Sequence, residues 1–129
     1  MNAKTYLQEG ITCVIVKNDQ IYQAKTSGIR PLLEWLDEMP CPLTDGDIAD
    51  RVVGKAAALL FRYANIHSLY TEVISEHALQ ALQNSDIEVS YDKLVPHVKN
   101  RDQTGMCPME AKVLDIDDPI LAYQILSGK

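Results

Sequence analysis

Asp50-Arg51-Val52-Val53-Gly54-Lys55-Ala56-Ala57-Ala58-Leu59-Leu60-Phe61 is the stretch whose reading decides the fold. It reads as one helix, apolar on nearly every side, running to about Tyr63 or Ala64 with Asn65 as its stop. A helix of that kind must be covered by other elements, which makes it the central helix of the domain. Its first turn carries Asp50, Gly54 and Lys55. A helix start offers backbone N–H groups to a ligand, so a small-molecule site is expected there.

Outward from this helix, the chain alternates strand and helix. Thr12 to Lys17 is a β-branched run, Asn18-Asp19-Gln20 is turn material, and Ile21 to Lys25 alternates, which together predict a hairpin. The run Cys13 to Val16 is apolar on both faces, so this strand is expected to be interior and covered by helices, with Cys13 as a small buried hydrophobe. Ile29 to Leu36 reads as a first helix with Pro31 in its opening turn. Trp35 lies beside its apolar face and reads as core, interface or pocket wall. Met39-Pro40-Cys41-Pro42-Leu43 is a stiff loop. After it, either Thr44 caps a helix with Asp47 three residues on, or Asp50 caps the central helix and 44–49 stay loop.

Ser68 to Ile74 reads as a second interior strand, Ser75 as the cap of a helix over Glu76 to Gln83, and Ile87 to Tyr91 as a strand with one wet face. Residues 92–99 read as a short connection. The segment Asn100 to Glu110 is irregular and enters a helix near Pro108, and Asp117 or Asp118 with Pro119 opens a last helix, Ile120 to Leu126. Strand, helix, strand, helix, strand implies parallel crossovers in an α/β sheet flanked by helices.

The whole chain sets limits. At 129 residues it is expected to be a single domain, 1–129, with 47% hydrophobic and 23% charged residues. The net charge of −6 and the single scattered Lys and Arg residues argue against a nucleic-acid partner. No apolar run nears the ~18 residues of a membrane span, and no signal-peptide core is evident, so a cytoplasmic protein is expected. Cys13, Cys41 and Cys107 are odd in number and widely spaced. With no C-x-x-C, H-x-E or H-E-x-x-H spacing, neither a disulfide framework nor a metal or other cofactor is expected.

Three places can carry chemistry. Gly54-Lys55 is not a P-loop, because the upstream glycine is misplaced and Ala56 replaces the hydroxyl. Lys55 is either a flank lysine or the holder of a phosphate or carboxylate. Glycine inside a helix costs ~1 kcal/mol, so Gly54 signals that something approaches closely. Around Arg101-Asp102 and Gly105 to Glu110, Cys107 precedes a helix start, where a thiol is activated, and Glu110 and Asp102 are candidate acids or bases. Arg101 either pairs with Asp102 or clamps an anion. The plainer reading has Cys107 buried and Glu110 in a cap. Ser75-Glu76-His77 is explained as a cap with a first-turn acid, and no nucleophile elbow exists.

Asp50 to Leu60, Val73-Ile74-Ser75-Glu76, and Asn100-Arg101-Asp102-x-Thr104-Gly105-Met106-Cys107-Pro108-Met109-Glu110 together resemble the DUF1893 family, over about residues 6–126. The resemblance implies a cytidine-deaminase-like fold: three layers, α/β/α, with a mixed central sheet and a site where two helix starts meet. Deaminases of that kind hold zinc through His or Cys on the first helix and P-C-x-x-C on the second. By order, Gly54-Lys55-Ala56-Ala57 and Ser75-Glu76-His77-Ala78 fall at those places without the ligands. What the resemblance leaves is a pocket lined by Asp50, Arg51, Gly54, Lys55, Ser75 and Glu76, with the 100–110 loop and Arg101 across it. The expected function is a small-molecule-binding protein or metal-independent enzyme with Cys107 as its thiol. The alternative is an interaction module anchored by Trp35 and exposed tyrosines, including a homo-oligomer, and zinc-dependent nucleoside deamination stands third.

Overall fold

The N-terminal β-branched run forms the predicted hairpin. In a computed structural model that describes residues 2–26, 28–98 and 107–128, β1 (Cys13–Lys17) pairs antiparallel with β2 (Gln20–Ala24). Asn18 and Asp19 turn the chain with φ of 50° and 65°, the left-handed pair that matches the strand twist of a two-residue hairpin. α1 (Arg30–Leu36) follows, with Pro31 in its first turn and Leu32 and Pro31 buried. Trp35 is half-buried against the main core.

The decisive stretch is a strand and a helix, not one helix. Asp47–Val53 is β3, Gly54 is the N-cap in extended conformation, and α2 runs Lys55–Ala64. Asp50 and Arg51 are therefore strand residues, and neither Thr44 nor Asp50 caps a helix. Residues 44–46 form a turn in which the Gly46 amide donates to the Leu43 carbonyl at 2.9 Å. The reason is tertiary. β3 is hydrogen-bonded to β1 on one side and β4 on the other, so pairing on both edges overrides a weak local preference. Asn65 ends α2 in the left-handed conformation, as its sequence position predicts.

β4 (Ser68–Ser75) leads into α3 (Glu76–Gln83), whose N-cap Ser75 accepts from the Ala78 amide at 3.0 Å. β5 runs Glu88–Val95, so residues 92–95 continue the strand and are not a connection. α4 (Pro108–Lys112) and α5 (Pro119–Ser127, capped by Asp118) complete the chain. The sheet order is β2-β1-β3-β4-β5, antiparallel across β1 and parallel from β3 to β5.

α2 lies against α1, α3, α4 and α5, which explains why eight of its residues are buried. One sheet face holds this main core. The other is covered by a 3-10 turn, Ala3–Tyr6, where Ala3 packs with Val14, Val16 and Ala49. The architecture is mixed α/β in three layers, and among the described residues the third layer is that single turn. β1 is interior as expected, but helices cover only one of its faces.

The parallel strands also change phase. Ile48 and Val53, and Leu69 and Ile74, enter the same core although five residues apart, a spacing that strict alternation places on opposite faces. The β3–β4 pairing runs from Asp47 to Asp50 and resumes at Val52. Arg51, at the break, turns to the 3-10 face. Its guanidinium donates to the carbonyls of Gln8 (2.6 Å) and Ile11 (3.1 Å) and pairs with Glu72 at 2.7 Å. This clamp fixes the segment before β1. Arg51→Ala is expected to lower stability by about 1–3 kcal/mol, through lost charge-assisted hydrogen bonds. Denaturant unfolding gives that loss, and amide exchange is expected to speed up selectively over residues 8–12.

Candidate functional site

β3 and β4 are adjacent and parallel, so the helices that follow them start side by side. Gly54-Lys55 opens α2 and Ser75-Glu76 opens α3. The unpaired N–H groups at both starts would normally face solvent or a ligand. Here the first amide of α2 and the hydroxyl that caps α3 meet Glu110, a residue of α4 with 1% exposure. Its Oε2 accepts from the Lys55 amide at 2.5 Å and from the Ser75 hydroxyl at 2.6 Å, and its Oε1 accepts from the Val98 amide at 2.8 Å. Ser75 Oγ serves twice, accepting from Ala78 N and donating to Glu110.

Gly54 is explained by the same group. A Cβ on Gly54 would stand 2.9 Å from Glu110 Oε2 and 3.1 Å from Val98 Cγ2. The close approach at Gly54 is the approach of an internal carboxylate.

The other predicted residues divide. Lys55 sends its side chain away from the junction, where Nζ donates to the Leu114 carbonyl at 2.6 Å and to Asp117 Oδ1 at 3.1 Å. Glu76 is exposed in the first turn of α3 and takes no part in the described hydrogen bonds around Glu110. Arg51 is committed to the 3-10 face. Cys107 is half-buried at the N-cap of α4, its amide donating to the Val98 carbonyl at 2.7 Å. Asp102 and Arg101 lie outside the described residues.

The polarity of the junction bears on zinc. Its inward-facing groups are N–H and O–H hydrogens surrounding one carboxylate, an arrangement that holds an anion and opposes a cation. No thiol stands at either helix start, and the imidazole in the first turn of α3, His77, lines the cleft shared with α2 and makes no described hydrogen bond to Glu110. Among the described residues no group of three or more His, Cys, Asp and Glu is placed to hold a metal ion. The residues present do not fit the zinc of a deaminase.

The family model described as a domain of unknown function, DUF1893 (TM1506), matches residues 2–129. The chain belongs to the DUF1893 family. A crystal structure of a DUF1893 family protein (TM1506) from Thermotoga maritima is similar, with a TM-score of 0.85 and 27% identity over 97% of this chain and 84% of that one. No curated protein matches the chain.

Two further polar features of this DUF1893 chain escape a sequence reading. Asp50 lies beside Cys13 in the β1–β3 pairing. Burial pushes its carboxyl up to about 7, against the opposing hydrogen bonds from the amides of Arg51 (2.8 Å) and Val52 and from the Cys13 thiol. Those amides belong to the stretch where the strand changes phase, and the Arg51 amide is shared with the Thr12 carbonyl at 3.3 Å. Burial, and then the Asp50 charge, push the Cys13 thiol well above its ordinary value. The second feature is Asp47, whose Oδ1 accepts from the His67 ring at 2.7 Å and from Ser68 Oγ at 2.6 Å. The carboxylate stands between the other two side chains, so this is not a relay in which a histidine activates a serine. Asp47 and Ser68 are register partners across β3 and β4, a pairing hidden as long as β3 is read as helix.

Two outcomes are expected. Glu110→Ala leaves buried donors unpaired and is expected to cost about 2–4 kcal/mol, and Gly54→Ala about 1–3 kcal/mol by overpacking. In a denaturation double-mutant cycle the pair is expected to fall short of the sum by about 1 kcal/mol or more, because removing the carboxylate relieves the clash. Additive losses would show that the two do not meet. For Asp50, the folded value near 7 exceeds the ordinary carboxyl value of ~3.9, so the folded state holds the proton more tightly between them. Its contribution is therefore full below about pH 4, declines as pH rises through about 7, and levels off above. Urea unfolding of the native chain and of Asp50→Asn across that range should give a stability difference that drifts against the native chain with rising pH, then flattens.

Proposed function

We propose that this chain is a non-catalytic small-molecule-binding domain with a deaminase-like layout. One observation carries the non-catalytic part of the reading: the junction of the two helix starts is filled by Glu110. A reaction centre needs room for a substrate beside its acid or base, and a nucleophile within hydrogen-bond reach of that base. Among the described residues the hydrogen bonds to Glu110 come from two backbone amides and the Ser75 hydroxyl, and that hydroxyl is committed to capping α3. The deaminase-like layout is supported by the mixed sheet order and by two helices that start side by side at the ends of parallel strands. A cytoplasmic setting agrees with three free cysteines.

A second reading, an interaction module, is favoured by α5. This helix is apolar on most sides, yet Ile120 is 59% exposed and Leu121 41%. They stand with Met39, Val52, Tyr91 and Leu94 among the exposed apolar side chains of the described surface, whereas Trp35 is half-buried.

Both readings are tested against catalysis by labelling. Intact protein is treated with iodoacetamide at pH 6 and the modified cysteines are located by mass spectrometry. Cys107 is expected to label no faster than the half-buried Cys41, with Cys13 protected by burial. Rapid, selective labelling of Cys107 would mark an activated thiol and overturn the non-catalytic reading.

A further inference from the structure

The cleft between α2 and α3 has a chemistry that the helix starts lack. It has a volume of about 370 Å³, and its lining includes Lys55, Arg62, His77, Gln80, Asn84 and Asp117. Lys55 and Arg62 are two turns apart on α2 and share a face. His77 and Gln80 on α3 and Asn84 at its C-cap follow a spacing of three and four and also share a face. Two helices thus each present a row of hydrogen-bond donors to one space.

The charges in this cleft are incompletely answered. The Lys55 side chain is only 8% exposed, yet it delivers its ammonium to the cleft, where Leu114 O and Asp117 Oδ1 accept from it. The Asp117 side chain is 92% exposed, so its bond to Lys55 is a water-bathed ion pair of small worth. Among the described residues Arg62 Nη1 donates to the Asp117 main-chain carbonyl, at 3.4 Å. Among the described ion pairs, the one carboxylate that answers these two cations is the solvent-exposed Asp117, and it pairs with Lys55. A cation this deeply enclosed favours a stronger anionic partner.

We propose that this cleft binds a phosphate group, as free inorganic phosphate or as the phosphate of a small monoester. The phosphate takes the place of the Asp117 carboxylate. Lys55 and Arg62 supply the opposing charge, and His77, Gln80 and Asn84 donate hydrogen bonds. Donors converging from two helices suit tetrahedral oxygens better than a planar carboxylate, which a single arginine fork satisfies. The inference goes beyond the binding-domain reading and stands whether or not the helix starts carry chemistry.

Isothermal titration calorimetry of the full chain with inorganic phosphate and, separately, glycerol phosphate tests it, against chloride at matched ionic strength. Binding of at least one ligand is expected below about 10 mM. Asp117→Asn is expected to tighten it by about threefold or more, by removing the internal competitor. Arg62→Gln is expected to weaken it by about tenfold, and circular dichroism checks that both variants are folded. Tighter binding of inorganic phosphate assigns the free ion as ligand, and tighter binding of the monoester assigns an ester. No binding above the chloride control, or an affinity unchanged in either variant, overturns the proposal.

Discussion

A carboxylate that has left water must be answered by hydrogen-bond donors, and in this chain that requirement falls on Glu110. Its two oxygens collect the first amide of α2, the hydroxyl that caps α3 and the amide of Val98. The segment after β5, the fourth helix and the two crossover helices are joined at this one group. The constraint reaches into the sequence as well. Gly54 must lack a side chain because the carboxylate stands where a Cβ would be, and position 75 needs a hydroxyl that can accept and donate at once.

The arrangement resembles a ligand site whose ligand is supplied by the chain itself. Two helix starts side by side present the hydrogens that elsewhere receive phosphates or carboxylates. Here an internal acid receives them, and the lysine at the same point of α2 turns its ammonium the other way, into the cleft against α3. Lys55 thus serves two places: its backbone holds Glu110, and its side chain reaches Leu114 and Asp117. Both sets of contacts fall on residues 110–117, which joins this segment to α2 from two sides.

The phase change in β3 and β4 has a similar logic. Ile48 and Val53 can both reach the main core only if the strand stops alternating between them. At that point Asp50 accepts from the amides of Arg51 and Val52, and the Arg51 amide also donates to the Thr12 carbonyl at 3.3 Å. Thr71, at the same level of β4, donates its hydroxyl to the Val73 carbonyl at 3.0 Å. Polar residues that look out of place in a buried strand are answering the break in its ladder.

The sequence by itself determined the local elements whose signals are local: the hairpin around Asn18-Asp19, Pro31 opening α1, Asn65 closing α2, Ser75 capping α3, and a buried, apolar α2. It also carried the family resemblance, while the cost of a helix-interior glycine does not apply to Gly54, which is the N-cap of α2. Only the tertiary structure decided that Asp50 to Val53 is strand, because hydrogen bonds from β1 and β4 on its two edges outweigh the preference of four residues leading into a helix. Only the tertiary structure decided what presses on Gly54, since Glu110 is far along the chain and proximity of that kind leaves no periodic trace. The same holds for Asp47 with His67 and Ser68, and for the rows of α2 and α3 that face one cleft. Each depends on which strands and helices are neighbours, a choice made by the packing of the whole chain.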